Sequence, residues 1–172
     1  MPLTGEYAPG RSKSARKQAE LYEASNGAEA GDIGGYPVVV LTSVGARSGK
    51  LRKTALMRVE SDGRYALVAS PDYSPRRPDW YFNLLANPVC ELQDGADRSE
   101  YRAREVRGDE HLRWWRRAVE SFPRFERYQA KRRGPIPIIV LEPLSQGATD
   151  RSAAGRGSRG SATARRSARP RA

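Results

Sequence analysis

Between Tyr36 and Ser70 three β-rich runs follow one another through turns too short to hold a helix, which limits this part of the chain to an antiparallel arrangement. The first, PVVVLTS after Tyr36, is β-branched and bounded by glycine-containing turns on both sides. Leu51 to Glu60 forms the second. Ser61-Asp62-Gly63 supplies hairpin chemistry, and Arg64 to Ser70 is the third. Two further strands are expected near Val89 to Gln93 and Glu100 to Val106, around an Asp94-Gly95 turn, and a last one at Ile136 to Glu142. Helical patterns fall between these runs. Lys13 to Ala24 has good helix formers but a thin apolar stripe of Ala15, Ala19 and Tyr22, which predicts weak anchoring. Asp79 to Ala86 is a short helix closed by Asn87-Pro88. From about Asp109 to Phe122, Leu112, Trp115, Ala118, Val119 and Phe122 recur at helical spacing, and a second short helix covers Pro123 to Lys131. No regular strand-helix-strand alternation appears, nor any G-x-G-x-x-G or Walker lysine motif. The expected fold is mainly β with helical inserts (α+β), an antiparallel barrel with helices at its side or mouth.

A length of 172 residues suits one such domain. The net charge of +11 invites a nucleic-acid reading until it is located along the chain. Residues 145–172 hold seven arginines and one aspartate, which leaves 24 basic and 19 acidic residues for the rest. That last stretch is Gly, Ser, Ala and Arg with nothing apolar to bury, and is expected to be a disordered tail. Residues 1–34 read as an N-terminal arm, its first dozen residues loose, and 35–144 as the barrel domain. The single cysteine, Cys90, forms no internal disulfide, and the single histidine, His111, leaves a zinc site short of ligands. No metal site is expected. The N-terminus has no apolar run of leader or membrane-spanning length, so a cytoplasmic location is expected, with peripheral contact at a membrane surface left open. Monomer and homodimer are equally compatible with the sequence.

Three stretches can carry chemistry. VGARSGKLRK, Val44 to Lys53, is a glycine-bounded turn carrying Arg47, Ser48, Lys50, Arg52 and Lys53. Its amides can form an anion-binding nest and its arginines can grip phosphate, or it is a solvated hairpin whose charges discourage edge pairing. In PDYSPRRPDWYFNLLANP, Pro71 to Pro88, Trp80, Tyr81 and Phe82 open a helix; they can flank a planar ring, or they are core. The same two readings apply to FPRFERY, where Phe122, Phe125 and Tyr128 recur at spacings of three.

Taken in order, VVLTSVGARSGKLRKTALM, SDGRYALVAS, PDWYFNLLANP, FPRFERY and PIPIIVLEP resemble the deazaflavin-dependent nitroreductase family of actinobacteria, a branch of the split β-barrel flavin- and deazaflavin-binding oxidoreductases. The resemblance covers about Gly35 to Pro143. It implies an FMN-binding-like split barrel and hydride transfer from reduced coenzyme F420 to a quinone, nitroaromatic or activated-alkene acceptor. It also implies site roles: Arg47, Ser48, Gly49 and Arg52 on the coenzyme phosphate and acidic tail, Leu56 and Met57 along the coenzyme channel, and Ala69 and Ser70 near the phosphate or ring. Asp79 and Trp80 would border the deazaflavin, with Trp80 at the ring edge and not wholly in the core. Phe122, Phe125 and Tyr128 would face the electron acceptor.

The chain departs from the family pattern at several positions. Ala46 replaces one of a pair of basic residues, Ala55 stands where proline is common, and Pro71-Asp72-Tyr73 occupies a loop that usually reads Lys/Gly-Gly. Arg76 and Arg77 are candidates to restore the missing charge, and Phe122 and Phe125 stand where some members carry tyrosines. Two competing readings remain. One is an FMN enzyme on the same barrel, for which a basic phosphate turn is equally suited. The other is a nucleic-acid or anion-binding module built on the arginine-rich tail, although no specific nucleic-acid partner is expected.

Overall fold

The computed structural model describes residues 3–70 and 76–144. The expected tail, and the loop departure at Pro71-Asp72-Tyr73, lie outside the described residues. Helix α1 (Lys13–Ala24) precedes strands β1 (Asp32–Ile33), β2 (Tyr36–Val44), β3 (Leu51–Met57), β4 (Glu60–Ser61) and β5 (Arg64–Val68). Helix α2 (Asp79–Ala86), strands β6 (Val89–Asp94) and β7 (Asp97–Val106), helices α3 (Gly108–Ser121) and α4 (Phe125–Ala130), and strand β8 (Ile138–Pro143) follow. The strands form one antiparallel sheet in the order β1-β2-β6-β7-β8-β5-β4, with β3 on the other side of β2. The sheet curls into the half-closed barrel of an α+β split-barrel fold.

Strand alternation sorts the apolar side chains by face. Val39 and Leu41 of β2, Leu56 of β3, Tyr65 and Leu67 of β5, Leu92 of β6, Tyr101 of β7 and Ile139 and Leu141 of β8 converge inside the barrel. Helix α2 plugs this interior with Trp80, Tyr81 and Leu84. On the outer face Ala66, Val68, Ile138 and Val140 receive α3 and α4 through Trp114, Ala118, Phe122 and Phe125. A third cluster sets Ala19 and Tyr22 of α1 on Val38 and Val40. Anchoring of α1 is therefore firmer than its thin stripe predicts. Ala15 is exposed, but Ala19 and Tyr22 are almost fully buried, the Tyr22 hydroxyl accepts the Gly95 N–H at 2.7 Å, and Glu23 ion-pairs with Lys53.

Three other local differences have physical causes. The second run stops at Met57, short of Glu60, because the Arg58 N–H turns to the Pro37 carbonyl and the Val59 carbonyl accepts from Ala66, which makes a corner. Asp32–Ile33, read in the sequence as the end of the N-terminal arm, pairs with the start of β2. Residues 6–8, expected to be loose, lie along the free edge of β3: Leu51 N–H donates to the Glu6 carbonyl and Ala8 N–H to the Leu51 carbonyl.

Cys90 is fully buried in the barrel interior, and burial pushes its thiol up to about 12. It stays protonated at working pH. Iodoacetamide at pH 8 is expected to leave the native protein unmodified and to alkylate it once in strong denaturant, as read by mass spectrometry. Rapid native labelling would place the thiol elsewhere.

Candidate coenzyme site

Strand register gathers most of the expected site residues at one end of the barrel. Val44 lies opposite Leu51, Val106 opposite Ile138, and Ile138 opposite Val68. The turn between β2 and β3, the end of β5 and the rim of β7 therefore share an end with Arg52, Ala69 and Ser70. Val38 and Met57 sit at the other end.

The turn from Gly45 to Lys50 is closed by its own backbone: Gly45 N–H donates to the Lys50 carbonyl and Gly49 N–H to the Gly45 carbonyl. Gly49 has φ +68°, which favours glycine, and a Cβ on Gly45 would meet Ser48 Oγ at 2.7 Å. Ser48 Oγ accepts the Lys50 N–H at 3.2 Å. Helix α2 fixes the turn from below, where the buried Asn83 accepts the Ala46 N–H through Oδ1 at 2.9 Å. Its amide reaches Ser43 Oγ at 3.5 Å, and Asn87 donates to the Val44 carbonyl. The nest is thus smaller than the sequence suggests, since the N–H groups of Ala46, Gly49 and Lys50 are spent within the fold. Among the described residues, the N–H groups of Arg47 and Ser48 and the guanidinium of Arg47 take no partner, and Arg47 to Gly49 are exposed. Two amides and one cation at a tight glycine turn fit an anionic group such as phosphate.

Asn83 was not singled out by sequence reasoning, because an asparagine inside an apolar helix gives no sign of a partner 37 residues away. Asn83→Ala leaves the Ala46 N–H without its acceptor, at an expected cost of about 1–3 kcal/mol in urea unfolding. A loss near zero would show that the turn holds its own shape.

The remaining expected residues divide. Arg52 sits at the rim, but its Nη1 donates to the Ala8 carbonyl at 3.1 Å and the Pro9 carbonyl at 3.4 Å, so it ties down the arm. Ala69 is buried inside the barrel and Ser70 is half-buried. Asp79 is exposed at the start of α2, paired with Arg76 at 3.3 Å, a favourable charge placement for a helix N-terminus. Trp80 lies deeper than expected: it is 5% exposed and belongs to the interior cluster. Its indole is the largest apolar surface on the inward side of α2, which explains the burial. Leu56 and Met57 do not line one channel together. Adjacent on β3, they face opposite sides, Leu56 toward the interior and Met57 toward the clusters under α1 and α3.

Phe122, Phe125 and Tyr128 gather with ring centroids 5.0–6.4 Å apart. They do so on the outer face under α3, with Phe122 and Phe125 buried and Phe122 against Tyr36, so the structure does not bring them to the turn. Arg77 lies 5.1 Å from the Tyr81 ring and donates to its hydroxyl at 3.3 Å. The Tyr81 hydroxyl donates to Glu105 at 2.7 Å, and burial together with this bond raises the phenol's pKa and keeps it protonated.

Similarity to known proteins defines the class first. A solved F420-H2 dependent reductase, FDR-A, is 46% identical and matches 62% of this chain and 94% of its own with a TM-score of 0.59. A second solved structure, a domain-swapped dimer, is 41% identical over 74% of this chain and 96% of its own, with a TM-score of 0.61. The fold is that of the split-barrel deazaflavin reductases. Residues 14–143 match the model of the F420H(2)-dependent quinone reductase family, and the chain belongs to that family. A Mycobacterium tuberculosis F420H(2)-dependent quinone reductase is 34% identical over 125 residues, 70% of this chain and 84% of the relative. The chain is an F420-dependent oxidoreductase.

Proposed function

We propose that the protein reduces quinone-type acceptors with reduced F420, and that the coenzyme's anionic end is held by the turn between β2 and β3. The Arg47 guanidinium and the Arg47 and Ser48 N–H groups, which take no partner among the described residues, carry this reading. When bound, the deazaflavin supplies the hydride that the acceptor receives. The chain contributes placement and charge. Arg47, Ser48 and Gly49 neutralise and cradle the phosphate, and Arg52 adds positive charge at the rim while fastening the arm. Ala69, Ser70 and the start of α2 at Asp79 and Trp80 bound the same end, with Trp80 acting as the floor beneath it. Tyr81 keeps its proton on the hydroxyl that donates to Glu105, so it holds the rim in place and does not deliver protons.

Among the described residues no helix is long and apolar enough to cross a membrane. We place the protein in the cytoplasm, with peripheral membrane contact where the acceptor is lipophilic. Anaerobic titration of the purified protein with F420, FMN and a nicotinamide dinucleotide tests the cofactor, and loss of reduced-F420 absorbance on adding a quinone tests the reaction. Tight FMN binding with none to F420 would overturn the proposal.

A further inference from the structure

A cleft of about 290 Å³ opens on the outer face between the β4–β5 hairpin and α3, lined by Ser61, Arg64, Glu110, Arg113, Trp114 and Arg117. The hairpin lies at the opposite end of the barrel from the coenzyme turn, because Tyr65 pairs with Leu141 while Val68 pairs with Ile138 at the coenzyme end. Three arginines line this cleft, Arg64 half-buried and Arg113 and Arg117 exposed. Arg113 and Arg117 stand one helical turn apart, where like charges cost an isolated helix stability. Among the described residues no carboxylate lies within ion-pairing distance of Arg64, Arg113 or Arg117.

The nearby acids bond mainly to other groups, although the Glu110 charge also acts on Arg113 and Arg64. Both Glu110 oxygens are held by Arg104 at 2.8–2.9 Å, and the Arg104 bond keeps that carboxyl below its ordinary range and therefore ionised. The Glu60 side chain accepts the Gly63 N–H and faces Arg58, so Arg117 reaches only the Glu60 backbone carbonyl, at 3.3 Å. Arg64 is laid 5.9 Å from the Trp114 ring, which holds its charge at the cleft and out of open solvent. Three arginines, a serine hydroxyl and an aromatic wall outweigh the one carboxylate of the lining, Glu110, and leave it net positive, as an oxyanion site requires.

We propose that this cleft is a second anion site, separate from the coenzyme turn, which binds a phosphate group carried by a small metabolite or a lipid headgroup. Bound phosphate bridges the hairpin to α3 and relieves the repulsion between Arg113 and Arg117.

The test is a ³¹P NMR titration of the full chain with inorganic phosphate at constant ionic strength. It compares the parent with Arg113→Gln/Arg117→Gln, with Arg47→Ala/Arg52→Ala, and with a charge-matched control, Arg11→Gln/Lys17→Gln. The Arg113→Gln/Arg117→Gln variant is expected to lose phosphate affinity at least about tenfold at a site the other two variants keep, with circular dichroism unchanged. Flotation with phosphatidylcholine vesicles, with and without phosphatidic acid, separates the sources. Loss of phosphatidic-acid binding alone in the same variant assigns the site to a headgroup, whereas loss of free-phosphate binding assigns it to a metabolite. If the variant binds phosphate and vesicles as the parent does, or if the control loses as much, the cleft is not an anion site.

Discussion

Trp80→Ala is expected to cost about 3–5 kcal/mol of folding free energy, the range found for removing a large aromatic from a packed interior. The indole is 5% exposed and packs with Tyr81 and Leu84 among the inward-facing residues of β2, β5, β6, β7 and β8, so its removal leaves a cavity in the barrel interior. Domain stabilities of about 5–15 kcal/mol make this a large fraction of the total. Urea unfolding followed by circular dichroism reads the loss, and Trp80→Phe, which keeps an aromatic ring, is expected to recover more than half of it. A Trp80→Ala midpoint close to that of the parent would contradict the interior placement and return the residue to the surface of a ligand pocket.

Arg47→Ala is expected to weaken F420 binding by about 1–3 kcal/mol, roughly 5- to 150-fold, through loss of one charge-assisted contact to an anion. Because Arg47 is exposed, the melting temperature of the variant without ligand should match that of the parent. Arg52→Ala supplies the contrast. Its guanidinium holds the Ala8 and Pro9 carbonyls, so this variant should lose stability as well as affinity and expose the arm to proteolysis. Isothermal titration with F420 beside thermal melting separates the two patterns. Unchanged affinity in a folded Arg47→Ala protein would remove the turn from the coenzyme site.

Strong local signals were readable in the sequence, whereas signals that depend on distant partners were not. Helices at Lys13–Ala24 and Asp79–Ala86 have the expected bounds, the first ending at a glycine-rich loop and the second at Asn87-Pro88. The glycine-bounded turn was visible because Gly45 and Gly49 meet backbone needs set within six residues. The contribution of Asn83 was not, since its partner lies on another element. On helix α2, Trp80, Tyr81 and Leu84 face inward while Phe82 and Leu85 remain exposed. A helix that is apolar on both sides has no periodic cue to mark which aromatic meets the core. The family resemblance groups Leu56 with Met57, although a strand sends neighbours to opposite faces.

Strand β8 is the sole link in the hydrogen-bonded order between β7 and β5, yet among the described strands it is the last in the chain. During synthesis the β1-β2-β3-β6-β7 group and the β4-β5 hairpin therefore emerge as two unjoined pieces, each with an open strand edge. Both wait for Ile138–Pro143 before the sheet is continuous. The closing contacts of β8 with β5 span 70 residues from Val68 to Ile138, a separation that slows folding and lengthens the interval in which bare edges can pair with other copies. A nascent chain halted before Ile138 should stay protease-sensitive, and resistance should appear in one step once Pro143 has cleared the ribosome.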